Sequence, residues 1–276
     1  VALPRNWYEA ARAVSVALGS DSRAKRILSP LFEGTLDLLG NRRGLKWQIN
    51  GSPCRIVPRH RRLVPRDYDV KVASFLRSHI RPGDVCFDIG ANVGAYTLQF
   101  AHWVGATGRV VAFEPNPFAR EVLARHVALS GYSQRVTIVD QAVSNAVGKA
   151  ELFFEGVDVK SRLGEANPTI ADKVSVTTVA TTTLDRFCAD SKLYPNWTKI
   201  DIEGFELQAL QGAGTLLAER DLGLVVEMHA PWDETNAYRR ELEQLLQRYT
   251  LEPHGLVGQR DPLGEHALVW LKRARA

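Results

Sequence analysis

The chain is predicted to fold as an α/β domain, with a Rossmann-like, mainly parallel sheet wrapped by helices. Three observations carry that expectation. The apolar run Val85-Cys86-Phe87 ends in Asp88-Ile89-Gly90-Ala91-Asn92-Val93-Gly94 and leads into Tyr96-Thr97-Leu98-Gln99-Phe100-Ala101, the pattern of a buried strand, a glycine turn and a helix. One strand-helix unit later, Arg109-Val110-Val111-Ala112-Phe113 ends in Glu114-Pro115-Asn116. The pattern keeps alternating, then closes on two strands joined by a short Gly/Pro loop, which adds an antiparallel strand to the sheet.

Helical spacing covers residues 7–18 through Trp7, Ala10, Ala11, Val14 and Leu18, and a second helix is expected at 25–39. Strands at 45–49 and 54–57 flank Asn50-Gly51-Ser52-Pro53, a strong hairpin signal. An amphipathic helix follows at 69–80 and stops before Pro82-Gly83. The core then reads strand 84–89, helix 94–104, strand 109–114, helix 117–130 and strand 135–140. Paired strands at 149–154 and 174–179 enclose a polar loop at 155–173, of a length typical of lids or substrate-facing segments. Alternation resumes with a strand at 197–202, a helix at 205–212, a further helical turn up to 220 and a strand at 222–228. A helix at 236–249 and strands at 251–257 and 266–271 complete the pattern.

A chain of 276 residues holds one main core with an accessory segment. No apolar run is long enough to span a membrane, and no signal-peptide core is visible near the N-terminus, so a cytoplasmic protein is expected. Cys54, Cys86 and Cys188 are scattered without a C-x-x-C pair, which gives neither a disulfide framework nor a zinc site. The net charge of +4 hides a basic stretch at 42–66, with Arg42, Arg43, Lys46, Arg55, Arg59, Arg61, Arg62 and Arg66 and no acid. It reads first as a solvated edge of the hairpin and second as a polyanion-binding face.

The glycine turn decides the cofactor. A dinucleotide site wants a second glycine where this chain has Asn92, so that the backbone can approach a pyrophosphate. An Asp two residues before the first glycine instead suits a ligand with ammonium or hydroxyl donors. S-adenosylmethionine has both and no pyrophosphate. Glu114, at the tip of the next strand, is placed to take both ribose hydroxyls.

A second cluster, Lys199-Ile200-Asp201-Ile202-Glu203-Gly204, puts Lys199, Asp201 and Glu203 on one strand face by period-two alternation. If this strand lies beside the first, Asp201 approaches the methionyl end of the cofactor. The structural alternative has Glu203 opening the next helix, with Lys199 neutralising it. The following strand ends Val225-Val226-Glu227-Met228-His229, and His229, next to Pro231-Trp232, is the expected base for an attacking hydroxyl. Asp201 is the alternative base or an orienting carboxylate. Asp201, Glu227 and His229 converge as a conceivable divalent-ion site, but no dedicated ligand spacing is visible and no metal is expected. Trp103, Tyr194, Trp197 and Trp232 are candidates for a sugar platform.

Pro82-Gly83-Asp84-Val85, the Asp88 to Gly94 turn, Ala112-Phe113-Glu114-Pro115, Thr183-Leu184-Asp185, Lys199 to Glu206 and Glu227-Met228-His229 occur in an order that resembles the FkbM family of S-adenosylmethionine-dependent methyltransferases. The resemblance spans roughly residues 65–270. It implies a class I methyltransferase fold, with a Rossmann-like seven-stranded sheet whose last strand is antiparallel, at 67–276 behind a helical and hairpin cap at 1–66. It also implies methyl transfer to oxygen on a sugar, glycolipid or natural product. Carried over by position, Asp88, Gly90, Asn92, Gly94, Tyr96, Glu114, Pro115, Asn116 and Asp201 hold the cofactor. Asp140 and Gln141 lie near the adenine. The acceptor is a small molecule or carbohydrate. An RNA methyltransferase using the basic stretch is the alternative, weakened because Asp201-Ile202-Glu203-Gly204 stands where a base N-methyltransferase carries an Asn/Asp-Pro-Pro-Tyr-like motif. A cofactor-binding protein without catalysis is the third reading.

Overall fold

The computed structural model describes residues 43–154, 161–163, 175–229, 237–258, 261, 263–264 and 267–273. The helices expected at 7–18 and 25–39, Pro231-Trp232 and most of the 155–173 stretch lie outside these residues. The first elements are strands β1 (Leu45–Ile49) and β2 (Ser52–Ile56), the expected hairpin. Asn50 and Gly51 both take positive φ, 47° and 79°, the two-residue turn whose twist matches its flanking strands. Pro53, expected in the turn, is instead a strand residue opposite Gln48.

Helix α1 (Val70–His79) precedes the central run β3 (Val85–Ile89), α2 (Ala95–Trp103), β4 (Arg109–Phe113), α3 (Pro117–Leu129) and β5 (Val136–Val139). Next come β6 (Ala142–Val143), β7 (Gly148–Phe154), β8 (Arg162–Leu163) and β9 (Ser175–Thr182), a small sheet ordered β6-β9-β7-β8. The pairing of β7 with β9 is the antiparallel pair expected from sequence. The two-residue β8 within the expected loop adds to the far edge of β7. The chain continues through α4 (Leu184–Ser191), β10 (Trp197–Ile200), α5 (Glu206–Gln211), α6 (Gly214–Glu219), β11 (Gly223–Met228), α7 (Ala237–Arg248), β12 (Leu251–Gly255) and β13 (Ala267–Arg273).

The main sheet has seven strands in the order β12-β13-β11-β10-β3-β4-β5. β3 pairs in parallel with β4 on one side and β10 on the other. β13 is antiparallel to both β11 and β12. Strand order reverses at β3, and such a switch opens a crevice beyond the carboxyl ends of the strands. That crevice lies where Asp88 to Gly94 leave β3, Glu114 leaves β4 and Asp201 leaves β10.

Strand periodicity sorts the core into two layers. Cys86, Val110, Ala112 and Val225 pack with Leu76, Leu98, Phe100 and Leu123 on one face. Phe87, Ile89, Val111, Phe113, Ile200 and Val226 pack with Leu184, Leu207, Leu210 and Leu242 on the other. Strands buried on both faces read as continuous apolar runs, which is why these were conspicuous in the sequence. The hairpin belongs to the first layer through Ile49 and Ile56. It is pinned there by Trp103, whose indole donates to Ser52 Oγ at 2.8 Å, and by Ser130, whose Oγ bonds both backbone groups of Arg55 at 2.9 and 3.0 Å.

β10 is shorter than expected. It ends at Ile200, and Glu203 and Gly204 take positive φ, 55° and 106°, so Glu203 is not a strand residue sharing a face with Lys199. Nor does Glu203 open a helix, because α5 starts at Glu206. The cause is Glu206, whose carboxylate accepts from the backbone N–H of Ile202 and Gly204 and folds the loop back on itself. Lys199 pairs with Asp201, not with Glu203.

Candidate active site

The turn after β3 is built by three residues with left-handed backbone. Gly90, Asn92 and Gly94 have φ of 84°, 47° and 97°. A side chain on Gly90 would place its Cβ 1.8 Å from the carbonyl oxygen of Asp201, so glycine is what lets β3 and β10 close together here. Gly94 packs against Leu123, where a Cβ would come within 2.6 Å of Cδ1. Asn92 adopts a conformation that asparagine tolerates better than most side chains.

Glu114 ties this turn to the next strand. Its Oε2 accepts from Asn92 N at 2.6 Å and its Oε1 from Asn116 N at 2.8 Å. Burial pushes this carboxyl up to about 7, against the pull of those two backbone donors. Asp88 is buried as well, accepts from Thr97 Oγ1 at 2.5 Å and is raised by burial, with Lys199 opposing the shift.

The crevice has two lobes that share Gly90, Asn92, Asp201 and Glu203. One is largely apolar, with Phe113, Val143, Leu152 and Leu163 beside Glu114 and Gln141. The other is charged, with Asp69, Asp88, Asp201, Glu203 and Glu227 facing Lys199. Lys199 is 2% exposed, lies 2.8 Å from Asp201 Oδ2 and sits 4.6 Å from the Tyr96 ring centroid. Burial works against its charge, but the surrounding acids, led by Asp201, hold its pKa above the ordinary lysine value.

His229 follows β11 and stands between two acids. Its Nδ1 is 3.0 Å from Glu206 Oε1 and its Nε2 is 3.6 Å from Glu227 Oε1. Burial disfavours the imidazolium, yet Glu206 and then Asp201 outweigh it and lift the pKa to about 9. Glu227 is raised to about 7 by burial and by Asp201. One ligand atom each from Asp201, Glu227 and His229 lies within 4.8 Å of the others.

The expected site residues thus divide. Gly90, Asn92, Glu114, Pro115, Gln141 and Asp201 line the apolar lobe, and Asp88, Tyr96 and Asp201 line the charged one. Asp140 does not join them: β5 ends at Val139 and the chain bends at Gln141, leaving Asp140 exposed. Gly94 and Asn116 serve the scaffold. Asn116 is fully buried and caps α3 by accepting from Phe118 N and Ala119 N. Among the described residues no aromatic platform forms. Trp103 is core, Trp197 opens β10 at the end of the strand away from the crevice, and Tyr194 lies under the Arg220 guanidinium at 4.0 Å. Trp232 lies outside the described residues. Missing from the expectation were Tyr68 and Asp69 in the charged lobe and Glu206 behind His229. No periodicity or spacing links Tyr68 and Asp69 to the glycine turn, whereas the paired acids of Glu203-Gly204-Phe205-Glu206 were visible.

This arrangement discriminates between cofactors. An apolar lobe joined to one rich in carboxylates repels a pyrophosphate but suits an adenosine whose tail carries a sulfonium and an ammonium. The Methyltransferase FkbM domain model matches residues 88–252. The chain belongs to the FkbM methyltransferase family. Its cofactor is S-adenosylmethionine. Two curated relatives are similar in part. The 31-O-demethyl-FK506 methyltransferase FkbM of Streptomyces tacrolimicus is 41% identical over 76 residues, 27% of this chain and 28% of the relative. The hexuronic acid methyltransferase AglP of Haloferax volcanii is 28% identical over 168 residues, 59% of this chain and 63% of the relative. The chain therefore spans less than two thirds of either. Among solved structures, methyltransferase FkbM from Methylobacillus flagellatus KT superposes with a TM-score of 0.47 at 16% identity, over 68% of this chain and 43% of that one. Among the described residues no helix is long and apolar enough to cross a membrane.

Proposed function

We propose that this FkbM-type chain is an O-methyltransferase acting on a hydroxyl of a sugar, glycolipid or other small natural product. The observation that carries this reading is the Glu227 and His229 pair, 3.6 Å apart, beside Asp201 at the carboxyl end of the sheet. The bound cofactor supplies an electrophilic methyl group, so the protein has to align an oxygen and remove its proton. Alignment is worth about 7 to 11 kcal/mol and base assistance about 10² to 10⁴ in rate.

His229 was the base expected from sequence; with Glu206 Oε1 at 3.0 Å and its pKa raised to about 9, we read it instead as a charged donor near neutral pH. We assign the proton to the pair. Glu227, whose pKa of about 7 suits a base at neutral pH, takes the hydroxyl proton as the oxygen takes the methyl group. His229 orients that carboxylate, and Asp201 is the alternative base. The names of the two relatives, an acid-sugar methyltransferase and a methyltransferase for a 31-O-demethyl compound, support an oxygen acceptor.

The test is methyl transfer from labelled S-adenosylmethionine to a panel of neutral glycosides, uronic acids and macrolides, with products read by mass. An O-methyl product made by wild type and lost in Glu227→Gln supports the reading. Label found only in RNA, with activity falling steeply with salt, would replace it with the nucleic-acid alternative. The basic stretch gives that alternative little support, since Arg55 bonds the carbonyls of Arg43 and Gly44, and Arg66 lies 4.4 Å over the Trp47 ring.

A second reading, in which a divalent ion assists, rests on the convergence of Asp201, Glu227 and His229. Such an ion would acidify the acceptor hydroxyl. Manganese bound by wild type and lost in Glu227→Gln, read by electron paramagnetic resonance, would favour it.

A further inference from the structure

The apolar lobe with Glu114 accounts for the adenosine, so the amino-acid tail of the cofactor continues past Gly90 into the charged lobe. That tail is a zwitterion. It needs one cationic and one anionic partner, and among the described residues the lobe's lining holds one cation, Lys199. The choice of anion follows from what the acids already do. Asp88 is engaged by Thr97 Oγ1 at 2.5 Å, Asp201 by Lys199 at 2.8 Å, Glu227 stands beside His229, and Glu203 is engaged as well. Among the described residues the Asp69 carboxylate has one long bond, from Tyr96 Oη at 3.4 Å, and it lines the lobe half-buried. It also has a φ of 43°, and such left-handed non-glycine residues cluster at ligand sites.

Asp69 is held in place from the hairpin. The Asn50 side chain donates to Tyr68 O at 2.5 Å and to Gln99 Oε1 at 3.1 Å, and its Oδ1 accepts from Tyr68 N at 3.1 Å. The backbone N–H of Asn50 donates to Arg66 O at 2.8 Å. One turn residue therefore fixes the segment that delivers Tyr68 and Asp69 to the lobe. Both Asn50 and Asp69 lie outside the stretch matched by the family, 88–252.

We propose that Lys199 and Asp69 are the two poles that hold the amino-acid tail of S-adenosylmethionine, Lys199 its carboxylate and Asp69 its ammonium, with Asn50 as the positioning residue for Asp69. The inference rests on the cofactor assignment and not on the identity of the acceptor. Its consequence is that the hairpin, outside the family's shared stretch, completes the cofactor site.

Calorimetric titration of the full chain with two probes tests it. S-adenosylhomocysteine keeps the tail, and methylthioadenosine lacks it. Asp69→Asn, which preserves shape and left-handed tolerance, is expected to weaken S-adenosylhomocysteine by about tenfold to a hundredfold, the loss of a charged hydrogen bond, and to leave methylthioadenosine unchanged. Asn50→Gly keeps the turn and is expected to produce the same selective loss to a smaller degree. A general folding defect would weaken both probes, so equal loss on both, or loss on neither, overturns the proposal. Wild-type protein that binds neither probe would instead overturn the cofactor assignment itself.

Discussion

Nδ1 of His229 lies 3.0 Å from Oε1 of Glu206, a fully buried carboxylate that also accepts from the backbone N–H of Ile202 and Gly204. One acid therefore fixes both the loop that leaves β10 and the imidazole that follows β11. Neither group can be changed without disturbing the other.

This pairing makes stability depend on pH. The folded-state pKa of His229 is raised to about 9, above the usual value of about 6.5. Its contribution is fully present below about 6.5 and is lost as pH rises through about 9. Urea midpoints of wild type should fall across that window, and Glu206→Gln should flatten the fall while costing about 1 to 3 kcal/mol at neutral pH. A wild-type midpoint that stays constant from neutral to alkaline pH would refute the pairing.

Glu114 should govern cofactor affinity. Glu114→Ala removes the acceptor for Asn92 N and Asn116 N together with the ribose contact proposed for it. Calorimetry should show S-adenosylmethionine binding weakened by about a hundredfold or more, since each charged hydrogen bond is worth about 1.5 to 3 kcal/mol. NAD should give no heat with either protein. Because Glu114 titrates near 7, wild-type affinity should decline as pH falls through that value.

Turnover should report Glu227. With its carboxyl raised to about 7, kcat should rise with pH on an acid limb near that value. Glu227→Gln should abolish the limb and lower kcat by about 10² to 10⁴, with cofactor affinity little changed. A limb that persists in the variant would move the base to Asp201.

Gly90→Ala should be among the most damaging single changes. It places a methyl group 1.8 Å from Asp201 O on a backbone with φ of 84°. Melting should show a loss of about 3 kcal/mol, the upper end of overpacking costs, and cofactor binding should be lost with it.

Much of this was legible before any coordinates. Runs such as Val85-Cys86-Phe87 and Val110-Val111-Ala112-Phe113 announce buried parallel strands because both faces are apolar, and Asp88, Gly90, Asn92 and Glu114 sit where strand ends put them. What was hidden depends on long-range contact. Asp69 reaches the crevice through Asn50, a hydrogen-bonding relation that leaves no local pattern. The Thr183-Leu184-Asp185 motif, one of those that carry the family resemblance, is architectural: Thr183 caps α4, and the Asp185 carboxylate accepts from Thr215 N and Leu216 N at the start of α6. Period-two reading overran the end of β10 because alternation cannot reveal a carboxylate from the next helix folding the strand back. The charge on His229 was invisible for the same reason, since Glu206 is its neighbour only in space.

The insertion of β13 between β11 and β12 sets the order in which the sheet can be completed during synthesis. Until residues 267–273 emerge, β11 has an open edge and β12 has no strand to join. The nascent chain thus carries an unpaired parallel edge from the emergence of β11 until β13 follows it, a template for association with other chains. The last seven-residue strand is therefore the one that closes this edge, and its loss would be felt as aggregation rather than as a local defect.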